Sequence, residues 1–166
     1  MPEAKTLKRA RRDKRQGKAE TTQAGEFVRE EIHHIREGKH GARSTKQAIA
    51  IGLSKARRAG VKLPPPPANS TARTKRSAAS ATRAAKRRKA PSARRSRAAM
   101  TALRHEGRAA ASPKALARQA REVARRRGPA ARKASARKAV RTKGPKVRRI
   151  AAEKAARTRR RHAQAG

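Results

Sequence analysis

The stretch that decides the fold covers residues 44–61 and reads STKQAIAIGLSKARRAGV. Its first four residues, Ser-Thr-Lys-Gln, form a capping-box pattern that predicts the start of a helix. Gly60 predicts the end of that helix, because glycine accepts the left-handed conformation needed there. The predicted apolar face consists of Ala48, Ile49, Gly52, Leu53 and Ala56, followed by Val61, which can fold back onto the last turn. Small residues on this face permit a close neighbour.

A second amphipathic helix precedes the first, over about residues 24–37. Thr21 and Thr22 are placed to cap its start, and Gly38 is placed to end it. Its apolar stripe consists of Phe27, Val28, Ile32 and Ile35, which recur at helical spacing. The two helices together predict a helical hairpin over about residues 24–63, a unit at the lower size limit for independent stability.

The proline run at residues 64–67 divides the chain into two parts of different composition. Residues 1–63 carry 17 basic and seven acidic residues, whereas residues 64–166 carry 33 basic and three acidic residues, a net charge of +30. Four consecutive prolines favour an extended spacer. The predicted segments are a basic N-terminal arm at 1–20 with Leu7 as its one apolar anchor outside the hairpin seam, the hairpin at 21–63, a Pro-rich linker at 64–72, and a basic low-complexity tail at 73–166.

The tail contains a short repeat. Proline recurs at residues 113, 129 and 145, and the second and third prolines follow Gly128 and Gly144. Each 16-residue unit predicts a short helix that begins at proline and, in the first two units, ends at glycine. Ser112 is placed to cap the first unit. Because Leu, Ile and Val are scarce and like charges repel at helical spacing, these helices are expected to be marginal in water. The predicted fold class is therefore mainly α and disordered, a small helical hairpin plus a long basic tail.

The composition argues against an enzyme. Few bulky apolar residues are available to build a concave site that holds catalytic groups still. There is no cysteine, and the adjacent His33 and His34 point about 100° apart on a helix, so the pair is not expected to hold a metal. No cofactor is expected. The chain lacks a long apolar run, which predicts no membrane span and no leader segment.

The net charge of +40 points to a polyanionic partner, because so much like charge is costly unless it is neutralised. Arginine predominates, and guanidinium groups bind phosphate in a bidentate manner. Nucleic acid, in the first place duplex DNA, is the predicted partner. The candidate phosphate contacts are Lys39, Arg43, Ser44, Thr45 and Lys46 at a helix start, Lys86, Arg87, Arg88 and Lys89, then Arg125, Arg126, Arg127, Arg141, Lys143, Arg148, Arg149, Arg157, Arg159, Arg160 and Arg161.

The predicted function is that of a sequence-nonspecific, nucleoid-associated cytoplasmic protein that compacts or bridges duplex DNA. Two alternatives remain open on the residues alone. One is an RNA-associated or ribosome-associated basic protein, since phosphate contacts do not separate the two polymers. The other is a protein-interaction module, in which the hairpin stripe pairs with another chain or with a second copy and the tail only localises it.

Two resemblances accompany this interpretation. Residues 1–65, through the motif STKQAIAIGLS at 44–54, resemble a family of small basic bacterial proteins of unknown function. That resemblance implies a bacterial source but no activity and no binding residues. The long tail departs from the family, whose members end soon after the proline run. The tail itself is similar in composition to the arms of linker histones and bacterial histone-like proteins, with Ser112-Pro113-Lys114 as a shared motif, which implies DNA condensation.

Overall fold

A computed structural model describes residues 2–87 and 92–164, and every regular element within these ranges is helical. The chain divides after Gln119 into two compact units. The elements are α1 (Ala4–Arg15), α2 (Glu20–Arg36), α3 (Thr45–Arg58), α4 (Ala72–Arg87), α5 (Ala93–Arg104), a 3-10 turn η1 (Ala109–Ala111) and α6 (Pro113–Gln164). The prediction of an isolated hairpin with a disordered tail is therefore wrong, although the helical character is confirmed.

The predicted ends of α2 and α3 are found at the predicted glycines. Gly38 and Gly60 have φ angles of 77° and 89°, in the left-handed region. Beyond each glycine the chain folds back: the Lys39 N–H donates to the His34 carbonyl at 2.9 Å, and the Val61 N–H donates to the Ala56 carbonyl at 3.1 Å. These six-to-one bonds satisfy carbonyls that a helix end otherwise leaves open.

The helix starts agree with the sequence in one case and differ in the other. At α3, the Ser44 hydroxyl oxygen accepts from the Gln47 N–H at 3.2 Å, as predicted. The Gln47 side chain reaches one residue further back and accepts from the Arg43 N–H at 2.8 Å. By contrast, α2 begins at Glu20, so the predicted caps Thr21 and Thr22 lie inside the helix.

The helices α2 and α3 pack most closely at Gly52, where any side chain on α3 would collide with α2. An added Cβ at Gly52 would lie 2.7 Å from Val28 Cα, closer than real Cβ atoms approach backbone. Glycine therefore allows the two backbones to meet. Around this crossing, the buried apolar residues of α2 and α3 are Ala24, Phe27, Ile32, Ile35, Ala48 and Ala56.

The N-terminal arm is part of the folded unit, because α1 packs against α2. Ala10 joins Ala24, Phe27 and Ala56 in one apolar cluster, with Leu7 and Leu53 half-buried against it. The prediction that Leu7 lies outside the apolar seam is wrong. Leu7 and Ala10 therefore dock this helix against the buried Phe27, and Arg9 Nη1 lies 3.8 Å from Glu26 Oε2 across the same contact.

The segment that follows α5 returns to the hairpin and closes its second side. The Gly41 N–H donates to the Leu103 carbonyl at 2.8 Å, and the Ala42 N–H donates to the Gly107 carbonyl at 3.0 Å. A Cβ at Gly41 would collide with the Glu106 carbonyl, so this position also requires glycine. These bonds tie residues of the predicted tail to the loop between α2 and α3.

Just beyond these bonds, η1 completes an apolar cluster. Ala110 and Ala111 pack with Ile32, Ile35, Ala42 and Ala48, and Leu116 lies against them. Two hydrogen bonds fix the turn: Arg36 Nε donates to the Ala111 carbonyl at 2.9 Å, and the Thr45 hydroxyl donates to the Ala110 carbonyl at 2.7 Å. Part of the basic tail is therefore core. Alanine fits here because the site is narrow, so no bulky side chain is needed to fill it.

The helix α6 is interrupted at the two glycines of the repeat. Gly128 and Gly144 have φ angles of 72° and 64°, outside the helical region, and each is followed by proline. Ser112 caps the start of α6, because its hydroxyl oxygen accepts from the Ala115 N–H at 3.2 Å. The predicted helix stops and the predicted cap are confirmed. In the unit from Ala120 onward, Val123, Val140, Val147 and Ile150 are exposed.

We predict opposite effects from alanine at two helical glycines. Gly52→Ala should lower the free energy of unfolding by about 1–3 kcal/mol, because the methyl group must push apart the backbones of α2 and α3. Gly25→Ala is the matched control: its Cβ would meet nothing within 4 Å. It should leave stability unchanged or raise it by up to about 1 kcal/mol through helix propensity. Urea unfolding monitored by circular dichroism measures both, and equal effects would mean that the crossing is not close.

A second prediction tests whether η1 belongs to the core. Ala111 is fully buried, whereas Ala109, two residues earlier, is exposed. Ala111→Asp should destabilise the first unit by about 2 kcal/mol or more, because it places a charge among apolar side chains. Ala109→Asp introduces the same charge at the surface and should have little effect. Thermal unfolding of the full chain compares the two variants, and identical midpoints would show that the turn is not docked.

Candidate functional site

In the loop before α3, which was predicted to receive phosphate, nearby carboxylates already offset part of the positive charge. Lys39 Nζ lies 3.0 Å from a Glu37 carboxylate oxygen and 3.2 Å from Glu3 Oε1. Lys39 donates hydrogen bonds to both carboxylates, and the bond to Glu37 above all raises the pKa of Lys39. Thr45 points inward, and its hydroxyl is already bonded to the Ala110 carbonyl. Arg43, Ser44 and Lys46 remain exposed around this turn.

Glu3 links the start of α1 to the end of α2. Its Oε1 lies 2.8 Å from His34 Nε2, and its backbone N–H donates to Glu30 Oε2 at 3.2 Å. The hydrogen bond from His34, followed by the hydrogen bond from Lys39, lowers the pKa of Glu3. Glu3 is therefore ionised where it meets these groups, and its favourable interaction is lost only as the pH falls through that lowered pKa.

Among the described residues after residue 46, most of the candidate contacts are exposed on helices. Lys86 and Arg87 are exposed at the end of α4, whereas Arg88 and Lys89 lie outside the described residues. In the second unit, the exposed predicted contacts are Arg125, Arg126, Arg127, Arg141, Arg148, Arg149, Arg157, Arg159, Arg160 and Arg161. Lys143 lies on α6 immediately before Gly144.

A few of these arginines have intramolecular partners. Arg126 pairs with Glu122, and Arg149 Nε lies 3.8 Å from Glu153 Oε1. Arg127 donates to the Ser135 hydroxyl oxygen at 2.7 Å. All three arginines are nevertheless exposed, and such surface pairs contribute little energy. Successive arginines also point about 100° apart around a helix, so the cations surround the helix and do not form a single face.

A buried polar cluster between α2 and α3 escaped the sequence analysis. Glu31 is fully buried, and Lys55 Nζ lies 2.6 Å from its Oε2. The same ammonium group lies 3.6 Å from Glu30 Oε1, so one lysine serves two buried carboxylates. His40, also buried, places Nε2 at 3.2 Å from Glu31 Oε1. Charged groups in a core are stable only when they are compensated.

The cluster brings together the described residues best suited to hold a metal. Ligand atoms of Glu31, His34 and His40 lie within 4.8 Å of one another. His33, next to His34 on α2, is exposed and is not part of this group. The missed partner was His40, which the turn at Gly38 brings back to α2. The spacing of Glu31 and His34, three residues apart on one helix face, was the available signal.

Comparison with known proteins matches one part of the chain to a family. Residues 3–66 match a family of unknown function (DUF6496), so a domain of this family covers α1, α2, α3 and the start of the proline run. No curated protein and no solved structure matches the chain. Among the described residues, no helix is long and apolar enough to cross a membrane. The resemblance of this part to a family of unknown function is confirmed.

The buried ion cluster yields a third prediction. Lys55→Met keeps the aliphatic stem but leaves Glu30 and Glu31 buried without their ammonium partner. We expect a loss of about 3 kcal/mol or more in the free energy of unfolding. Lys62→Met is the control, because it makes the same chemical change at an exposed position. Chemical unfolding compares the two variants, and a loss no larger for Lys55→Met than for Lys62→Met would show that the cluster is not buried.

Proposed function

We propose that the protein is a non-enzymatic, nucleoid-associated cytoplasmic protein that binds duplex DNA without sequence preference and compacts or bridges it. One observation carries this proposal: residues 120–166 hold 18 basic and two acidic residues, and the described arginines among them are exposed on helices. The domain at residues 3–66 serves in this proposal as a folded head, and the second unit supplies most of the phosphate contacts.

The dimensions of the helical stretches suit a polyanion. Duplex DNA carries one charge per ~1.7 Å, so a 15-residue helical stretch of ~22 Å lies beside ~13 phosphates. The arginines that surround each stretch can therefore find phosphate partners in several orientations. Neutralisation also removes the repulsion between like charges at i and i+4, which favours the helix in the complex.

Sequence-nonspecific binding is proposed because the means of reading bases are lacking. The one aromatic residue outside histidine is Phe27, which is buried in the first unit, so the chain offers no aromatic platform for stacking on bases. Arginine on a surface without a packed scaffold contacts phosphate more readily than it holds register with a base edge. The basic, alanine-rich composition of the tail is consistent with the same proposal.

A matched pair of variants tests where the binding energy resides. The first variant changes Arg157, Arg159, Arg160 and Arg161 to Gln, and the second changes the exposed Lys5, Lys8, Arg11 and Arg12 of α1 to Gln. Both remove four positive charges. Each phosphate contact contributes about −0.9 to the slope of log affinity against log salt. The first variant should flatten this slope by about 3, and the second by less than about 1.

The measurement is fluorescence anisotropy of a labelled duplex, titrated with the full chain at several salt concentrations. Equal flattening by both variants would show that binding follows net charge and not the second unit. Absence of binding at low salt would refute the proposal. A duplex RNA competitor that displaces the DNA at lower concentration than unlabelled DNA does would redirect the proposal to RNA.

A further inference from the structure

We propose that Glu31, His34 and His40 form a binding site for one divalent transition metal ion, with zinc as its most suitable occupant. This site is separate from the DNA-binding surface proposed above. It lies in the domain at residues 3–66, between the last turn of α2 and the loop that leads to α3.

The charges of the cluster leave room for a cation. Glu30 and Glu31 are both buried, and Lys55 supplies one ammonium group between them. Oε1 of Glu31 and Oε1 of Glu30 are buried without a hydrogen bond, whereas Oε2 of Glu31 lies 2.6 Å from the Lys55 ammonium group. A buried carboxylate in this state is costly, and a bound cation removes the cost. The two carboxylates and the one ammonium group leave one negative charge uncompensated, which attracts a cation to the cluster.

The hydrogen bond of His40 prepares its other nitrogen as a ligand. His40 Nδ1 lies 3.0 Å from the Gly41 carbonyl oxygen, which only accepts, so Nδ1 is the donor. Nε2 then faces Glu31 Oε1 at 3.2 Å, so a metal ion bound between these two atoms would contact both. Metal-binding histidines commonly have their second nitrogen bonded to a carbonyl in this way.

The ligand set selects the class of ion. Two imidazoles and a carboxylate are a known zinc set, whereas calcium and magnesium prefer oxygen ligands throughout. At zinc-ligand distances of about 2.0–2.1 Å, tetrahedral ligand atoms lie about 3.3 Å apart. The His40 to Glu31 distance of 3.2 Å already fits this value. The third atom, from His34, belongs to a partly exposed ring that can close the remaining gap.

Glu3 provides the nearest oxygen for the fourth position. Its Oε1 lies 2.8 Å from His34 Nε2, where the ring nitrogen now donates a proton. A metal ion bound to His34 Nε2 would replace that proton and keep the carboxylate attracted to the site. The ion would then join the start of α1, the end of α2 and the following loop.

The test is a titration of the metal-free full chain with Zn²⁺ against a chromophoric chelator. We expect one Zn²⁺ per chain with submicromolar affinity, and at least about tenfold weaker binding for His34→Ala. His33→Ala is the matched control, because it removes the neighbouring exposed imidazole from the same helix, and it should bind Zn²⁺ like the natural chain. Co²⁺ should give the strong visible absorption of tetrahedral coordination in the natural chain and in His33→Ala. It should not give this absorption in His34→Ala.

Two outcomes would overturn the site. One is the absence of stoichiometric Zn²⁺ binding, which would leave the cluster as an ion-pair network. The other is an equal loss of binding in His33→Ala and His34→Ala, which would assign the ion to surface histidines. Because His40 is buried, the Zn²⁺ affinity of His40→Ala is interpreted only if its circular dichroism spectrum shows a folded chain. If that variant is unfolded, the Zn²⁺ affinity of His34→Ala is the deciding measurement. DNA binding of the His34→Ala variant is measured separately and should be unchanged.

Discussion

The close approach of α2 and α3 at Gly52 is the constraint on which the rest of the first unit depends. A chain with so few bulky apolar residues cannot fill the space between widely separated helices, so it brings the backbones together over glycine and alanine. This approach leaves only shallow surfaces on either side. One is covered by Ala10 and Leu7 of α1, and the other by Ala110 and Ala111 of η1.

Local signals in the sequence predicted the parts of the fold that local interactions determine. The cap at Ser44 and the helix stops at Gly38 and Gly60 depend on residues a few positions apart, and all are found. The docking of η1 was missed because it joins Thr45 to Ala110, which are 65 residues apart. Alanine gives no warning of such contacts, since the same residue serves equally well on an exposed helix and in a narrow core.

The acidic residues explain why the candidate sites were only partly predictable. Seven of the ten lie within residues 1–63, where the fold uses them internally: Glu30 and Glu31 face Lys55, and Glu3 and Glu37 face Lys39. A count of charges from the sequence alone treats Lys39 and Lys55 as cations available to a phosphate partner. The sequence alone also gives no sign that His34 and His40 lie close together, because only the turn at Gly38 brings them together. The excess of arginine beyond residue 120, by contrast, is evident from the sequence and is exposed in the structure.

The central claim is that the last turn of α5 and the segment after it are an integral part of the unit formed by α1, α2 and α3. Amide hydrogen exchange in the full chain at moderate salt, without nucleic acid, tests it most directly. The amides of Gly41 and Ala42, which donate to the carbonyls of Leu103 and Gly107, should exchange as slowly as the interior of α2. Exchange of these two amides at the rate of an open loop, while α2 remains protected, would contradict the claim.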